Sequence, residues 1–251
     1  MPGGWRACVT SVSAVRGAGT LINVGLIVGG SVLGLGIGHR VPERARTTLL
    51  QVLSFVTIVI GVSDAMDTRN IVFPLVGMAL GALIGEALGL EERVAALGAW
   101  LERKVPARDP AGRSADSTAR FVTGFVTASA LYCIGPMTIL GALQDATGET
   151  PQIYIIKGLL DGFVSIMFAA TWGIGVAFSA IAVLVVQGGL TVLGSGIDAV
   201  LDDRMRIELF AAGGLALIGI GLNTAGITKV RLVSLLPGLV LTPVLVAVFA
   251  R

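Results

Sequence analysis

Apolar residues run along this chain in long blocks separated by short polar breaks. The blocks cover residues 20–38, 49–66, 71–90, 119–145, 153–172, 175–197, 207–226 and 231–250, which makes eight. A helix needs roughly 20 predominantly apolar residues to cross the hydrocarbon core of a bilayer. The pattern therefore predicts an all-α membrane protein of about eight transmembrane helices. An even count places both termini on one side of the membrane.

The one sizeable polar stretch is 91–117. Its first part, EERVAALGAWLERKV, puts Val94, Leu97, Trp100 and Leu101 on one helical face, as in a helix lying along the membrane surface with Trp100 at headgroup level. The following PARDPAGRSADST mixes Pro, Gly, Ser and charges and reads as a flexible loop. A plain connector is the simplest role for the whole stretch. Residues 1–18 read as a disordered N-terminal extension or a misplaced start, because the block from Thr20 is long for a signal peptide and lacks a small-x-small cleavage site. Residues 19–251 form one polytopic domain.

A faint self-similarity links residues 19–85 with 179–245 at a constant offset of 160 residues. Ser31-Val32-Leu33-Gly34 faces Thr191-Val192-Leu193-Gly194, Arg44 and Arg46 face Arg204 and Arg206, and Ile58, Gly61 and Thr68 face Ile218, Gly221 and Thr228. Each copy holds three apolar helices, and two more fit between the copies. Equivalent helices then point in opposite directions, the inverted repeat common in secondary transporters. Shared composition among helices rich in Gly, Leu, Ile and Val is the alternative source of the match.

Composition closes off a soluble protein. Hydrophobic residues are 54% and charged residues 14% of 251, and the mean hydropathy is +0.88, so the lipid bilayer is the main partner. A net charge of +2 spread over loops excludes nucleic acid as a partner. With the N terminus outside, eleven Lys and Arg residues fall in inner loops, against six in outer segments. The positive-inside rule then places both termini outside. Cys8 lies in the tail and Cys133 inside a span, so no disulfide is expected.

Polar groups inside a span cost roughly 2.5–3.5 kcal/mol each for the ionisable ones, which makes them the candidate residues. Asn23, Gln187 and Asn223 can each grip a neighbouring helix or coordinate a solute or cation. Gly135-Pro136 should kink or break the fourth span, because Pro136 has no amide hydrogen and Gly135 offers no side chain against bending. A break at membrane depth either lines a cavity or only aids packing. Lys157 and Asp161, four residues apart, share a helical face; Lys157 is near enough to its helix end to snorkel, and Asp161 is the carboxylate expected to serve coupling or solute contact. An ion pair that fixes packing is the alternative for both. Gln144 and Asp145 end the broken span and either cap a helix or line a vestibule, while Glu86 and Asp64 sit near boundaries and read as interfacial.

Enzyme chemistry has little to work with. His39 is the single histidine, and no HExxH motif or phosphate-binding Gly-rich loop is present. No catalytic residue, cofactor or metal site is expected. The 35 glycines follow the small-residue spacing that lets helices approach closely.

The segments GTLINVGLIVGGSVLGLGIG, RFVTGFVTASALYCIGPMTILGALQD with KGLLDGF, and GIGLNTAGITKVRLVSLLPGLVL resemble the YdfK/YqgA-like family of uncharacterised bacterial inner-membrane proteins. The resemblance runs from Gly19 to near the C terminus. It implies an inner-membrane location and a shared fold, and at most a transport role. Members of that family begin close to the GTLINVG segment, so the residues before Gly19 depart from its pattern.

These readings converge on a secondary transporter or exporter of a small solute, coupled to protons or sodium, with two inverted three-helix units (19–85 and 179–245) joined by two central helices. Its path is expected near Asn23, Gly135, Pro136, Gln144, Asp145, Lys157, Asp161, Gln187 and Asn223. Two other readings stay open. One is an ion channel or passive pore lined by the same residues; the other is a membrane scaffold or regulatory protein, for which the glycine faces offer a route to a homo-oligomer.

Overall fold

The computed structural model describes residues 16–38, 40, 42–104, 115–146 and 150–250. Most of the N-terminal extension, His39 and most of the 105–117 loop lie outside the described residues. Among the described residues every regular element is helical: α1 (Ala18–Gly38), α2 (Glu43–Met66), α3 (Val72–Ala87), α4 (Leu90–Lys104), α5 (Ala115–Cys133), α6 (Pro136–Ala146), α7 (Gln152–Trp172), α8 (Gly175–Val200), α9 (Asp203–Thr224), a 3-10 turn (Val233–Leu235) and α10 (Leu236–Phe249).

The eight apolar blocks do not all become straight spans. Helices α1, α2, α7, α8 and α9 are individually long and apolar enough to cross a membrane. The pairs α3–α4 and α5–α6 meet that test only jointly, bent by 57° and 63°. Helix α10 is a shorter apolar helix of 14 residues. Among the described residues, five helices are therefore long and apolar enough to cross a membrane, or up to seven if each bent pair is one span, with the shorter α10 beside them.

Glycine decides which helices touch. Helices α1 and α7 form the most extensive contact in the molecule. Gly30 faces the Gly162 backbone, Gly34 that of Ile166, and Gly38 that of Ala170, so the two helices run parallel. Helix α2 runs antiparallel to α9 through a reciprocal contact, in which Gly61 meets Gly214 and Ile218 while Gly221 meets Ser54 and Ile58. Helices α3 and α10 are also antiparallel, with Gly77 against Thr242 and Gly81 against Gly238, and Gly85 meets Ser234 of the 3-10 turn before α10. A side chain at these positions would push the backbones apart, and in lipid the lost van der Waals contact is a main part of what holds helices together.

Burial sorts the helices into centre and rim. Helix α9 is 67% buried over its most apolar window and α7 50%, whereas α2 is 11% buried. Val52, Phe55, Val56, Val59 and Ile60 of α2 stay exposed, as lipid-facing residues do. Hydroxyls in this rim helix are hidden by bonding back to the preceding turn: Ser54 Oγ donates to the Leu50 carbonyl at 2.7 Å and Thr57 Oγ1 to that of Leu53 at 2.8 Å.

The described chain ends share one face of the bundle, here the terminal face. Arg16 Nε donates to the Ala146 carbonyl at 2.6 Å, Gly194 packs on Ala146, and Arg204 Nη1 donates to the Ala250 carbonyl at 3.0 Å. Glu208, buried beside that face, accepts from the Thr68 hydroxyl and from the backbone amides of Arg69 and Asn70 at 2.9 and 3.0 Å. On the opposite face Arg231 pairs with Glu86 at 2.8 Å and with Glu92, and Glu91 accepts from the Val233 amide at 2.9 Å. These bonds fasten the α3–α4 bend to the start of α10. Glu86 is thus interfacial and paired, while Asp64 has a buried carboxylate oxygen without a protein partner.

Candidate functional site

The spanning-helix polar residues meet where α1, α7 and α8 cross. Asn23 on α1 and Gln187 on α8 are both 0% exposed. The Asn23 amide donates one hydrogen to Asp161 Oδ2 and the other to Gln187 Oε1, each at 3.1 Å. Lys157 pairs with the same Asp161 oxygen across one turn of α7. Lys157 is 6% exposed, so it stays inside and does not snorkel. Its ammonium also lies 6.0 Å from the centre of the Tyr132 ring, a cation–π contact, and the Tyr132 hydroxyl bonds Ser165 Oγ at 2.7 Å.

Two polar atoms of this cluster have no protein partner, the acceptor Asn23 Oδ1 and the donor Gln187 Nε2. Leaving a buried donor or acceptor unpaired costs roughly 1–3 kcal/mol. The two atoms are of opposite hydrogen-bonding character and lie beside one positive and one negative side chain.

Above the cluster, toward the terminal face, the same helices carry a second polar layer. Thr20 lies one turn from Asn23, and Thr191 one turn from Gln187; their hydroxyl oxygens are 3.4 Å apart. Both threonines line a partly open cavity of about 360 Å³ with Arg16, Leu184 and Gly188. Below the cluster, toward the opposite face, apolar side chains meet between the helices, with the Ser165 hydroxyl there taken up by Tyr132. Ile27, Val183 and Phe168, each almost fully buried, belong to one apolar cluster.

The remaining expected residues take structural roles. Asp145 closes the start of α1, accepting from the Gly19 and Thr20 amides at 3.1 and 3.2 Å and from the Thr20 hydroxyl at 3.2 Å, which satisfies donors that a helix N-terminus leaves open. Gln144 Oε1 accepts from the Ile153 amide at 3.1 Å, near the start of α7. The Gly135-Pro136 break separates α5 from α6, with Gly135 at φ 136°, a conformation other residues rarely adopt. It packs toward α9 near Gly213 and Leu217. Pro136 deprives the Tyr132 carbonyl of its helical donor, and Thr138 Oγ1 supplies one at 3.1 Å. Asn223 lies outside the cluster, clasping the 225–231 loop by bonding the Val230 amide and carbonyl at 2.8 and 2.7 Å and the Thr228 hydroxyl at 2.9 Å.

Sequence reasoning missed Thr20, Thr191, Tyr132, Ser165 and Thr138. The readable signal was spacing, since Thr20 and Asn23 on α1 and Gln187 and Thr191 on α8 each make a short polar stripe on an apolar helix. Among the described residues no three His, Cys, Asp or Glu side chains are grouped to hold a metal ion. Cys133 is free.

Apolar helices of spanning length, glycine-mediated packing and a lipid-facing rim define a polytopic helical membrane protein. The family model described as "Protein of unknown function (DUF554)" matches residues 18–247, and the chain belongs to that family. It is 30% identical over 229 residues to the "Uncharacterized protein YqgA" of Escherichia coli (strain K12), covering 89% of this chain and 93% of that one. It is 26% identical over 234 residues to the "Uncharacterized membrane protein YdfK" of Bacillus subtilis (strain 168), covering 92% and 96%. No solved structure gives a significant match.

Proposed function

We propose that the chain is a secondary transporter or exporter of a small solute in the cytoplasmic membrane, with its terminal face outside and its driving force a proton or sodium gradient. The observation that carries this reading is the buried Asn23–Asp161–Lys157–Gln187 cluster, approached by a polar layer and a cavity from one face and sealed by apolar side chains from the other. A carrier needs a site that is reached from one side at a time.

The inverted repeat supports the same reading. Helices α2 and α9 begin at Glu43 and Asp203, one repeat offset apart, and run antiparallel. In their reciprocal contact Gly61 and Gly221 are repeat equivalents, and so are the Ser54/Ile58 and Gly214/Ile218 pairs that they meet. The offset also maps Asn23 onto Val183 and Gln187 onto Ile27. The polar pair on the terminal side thus has an apolar counterpart on the other side, and rocking one unit against the other would exchange which end is closed.

The test is thermal unfolding of purified protein in mild detergent against amino acids, organic acids, nucleosides, drugs and metal ions, followed by uptake of any stabilising compound into proteoliposomes. A stabilising solute taken up saturably under a gradient, and lost in Asp161→Asn, is the expected result. Uptake that grows linearly with concentration and ignores the gradient would mean a pore instead.

A further inference from the structure

We infer that the transported solute is a small zwitterion, a compound carrying one carboxylate and one ammonium group a few bonds apart, such as a short α-amino acid. The inference rests on the transporter reading for the location of the path and adds the chemistry of what fills it.

The argument starts from charge. The cluster already contains one cation, Lys157, and one anion, Asp161, joined to each other and both buried. A solute with a net charge would leave one charge without a counterion at membrane depth, and breaking the compensation of a buried pair is strongly unfavourable. A zwitterion adds none. It parts the Lys157–Asp161 pair and replaces it by two new pairs, solute carboxylate to Lys157 and solute ammonium to Asp161.

The unpartnered atoms fit the same division. Gln187 Nε2 is a donor available to a carboxylate, and Asn23 Oδ1 an acceptor available to an ammonium. Asn23 Oδ1 is aimed at α7 beside Gly158, between Lys157 and Asp161 in the chain, where a Cβ would come within 3.4 Å of it. Both atoms belong to side chains that are fully buried. A purely neutral solute such as urea would satisfy them without parting the ion pair and would leave its two charges unused.

Size follows from the approach. Thr20 and Thr191, their hydroxyl oxygens 3.4 Å apart and with Gly188 of α8 facing Thr20, lie between the cluster and the cavity of about 360 Å³ on the terminal side. The contact between the two hydroxyls, rather than the volume of the cavity, is what a solute has to part, and this suits one of a few heavy atoms.

The experiment divides glycine into its halves. Thermal unfolding of the full chain in detergent is followed with glycine, alanine, acetate, methylammonium and urea at equal concentrations, and radiolabelled glycine and alanine are offered to proteoliposomes. Glycine or alanine should raise the unfolding temperature saturably, acetate and methylammonium should not, and the shift should vanish in Gln187→Leu and in the double variant Lys157→Met/Asp161→Leu. The double variant removes both charges together, so it should fold and unfold at a temperature near that of the parent. Stabilisation by acetate or methylammonium alone, by urea alone, or by none of the five would overturn the zwitterion assignment. Stabilisation by glycine or alanine without uptake would keep the site and overturn transport, while uptake of a solute of another class would keep transport and overturn the site's assignment.

Discussion

Thr138 donates its hydroxyl to the Tyr132 carbonyl at 3.1 Å, filling the position that the proline between them cannot. The bond lets a 63° bend exist inside a buried region without an orphaned acceptor. Thr138→Val keeps the shape and removes the donor, so it should lower stability by about 1–3 kcal/mol. Thr138→Ser should recover most of the loss. Thermal melting in detergent, read side by side for the two variants, decides this; equal loss would show that the methyl, not the hydroxyl, matters.

Gly61 sits where a Cβ would be 2.7 Å from the Gly214 carbonyl oxygen, whereas a Cβ at Gly25 meets nothing within 4 Å. Gly61→Leu is expected to abolish a monodisperse fold on size-exclusion chromatography. Gly25→Ala is expected to be neutral or to stabilise by up to about 1 kcal/mol, since alanine is the better helix former. Comparable elution profiles for both variants would show that the α2–α9 contact tolerates separation.

Asp145 holds the first turn of α1 from a distance of more than a hundred residues in sequence, through two backbone amides and one hydroxyl. Asp145→Ala leaves the Gly19 and Thr20 amides unpaired at a buried helix start, with an expected loss of about 1–3 kcal/mol. Asp145→Asn, which retains one acceptor, should lose less. Hydrogen exchange should rise first at Gly19 and Thr20, and protection unchanged there would remove Asp145 from this role.

Lys157 and Asp161 should behave as a unit. Removing one partner, as in Lys157→Met or Asp161→Leu, leaves a buried charge uncompensated and should cost about 3–5 kcal/mol. The double variant should cost far less than the sum. A double-mutant cycle on unfolding free energies measures the coupling, and additive losses would mean that the two side chains do not share their environment.

Asp67 and Ile227 are both exposed and lie one repeat offset apart, in loops on opposite faces of the bundle. On a background with Cys8 and Cys133 replaced by Ser, Asp67→Cys should react with a membrane-impermeant maleimide in intact cells. Ile227→Cys should react only after permeabilisation. Labelling of both from the same side would remove the inverted arrangement.

The sequence made the spans readable because hydrophobicity in a bilayer is a property of segments. The four central residues were readable for a related reason: an amide or a charge such as Asn23, Gln187, Lys157 or Asp161 has no place in an apolar run unless something answers it. What answers it was not readable. Capping was one of the two roles open to Asp145 and Gln144, but the amides they bond, those of Gly19, Thr20 and Ile153, carry no sequence signature, and Asn223 folds its own loop. Thr20 and Thr191 escaped notice because threonine can hide its hydroxyl within its own helix, so its presence in a span raises no alarm. Lys157 looked able to reach water, and only the packing of α1 and Tyr132 around it shows that it does not. The bends at 88–89 and 134–135 depend on which neighbours receive the freed groups, as Thr138 does, and that is settled in three dimensions.

Ile27 and Val183 close one end of the proposed path by excluding water, while the site above them is held by the hydrogen bond between Asn23 and Gln187. On the transporter reading the seal and the site respond differently to heat. Wetting an apolar seal becomes easier as the sample is cooled, since the hydrophobic contribution fades at low temperature, and a hydrogen-bonded site does not loosen for that reason. The side on which the empty carrier rests is then set by temperature as well as by solute, and cold is the condition that favours the orientation opposite to the one seen here.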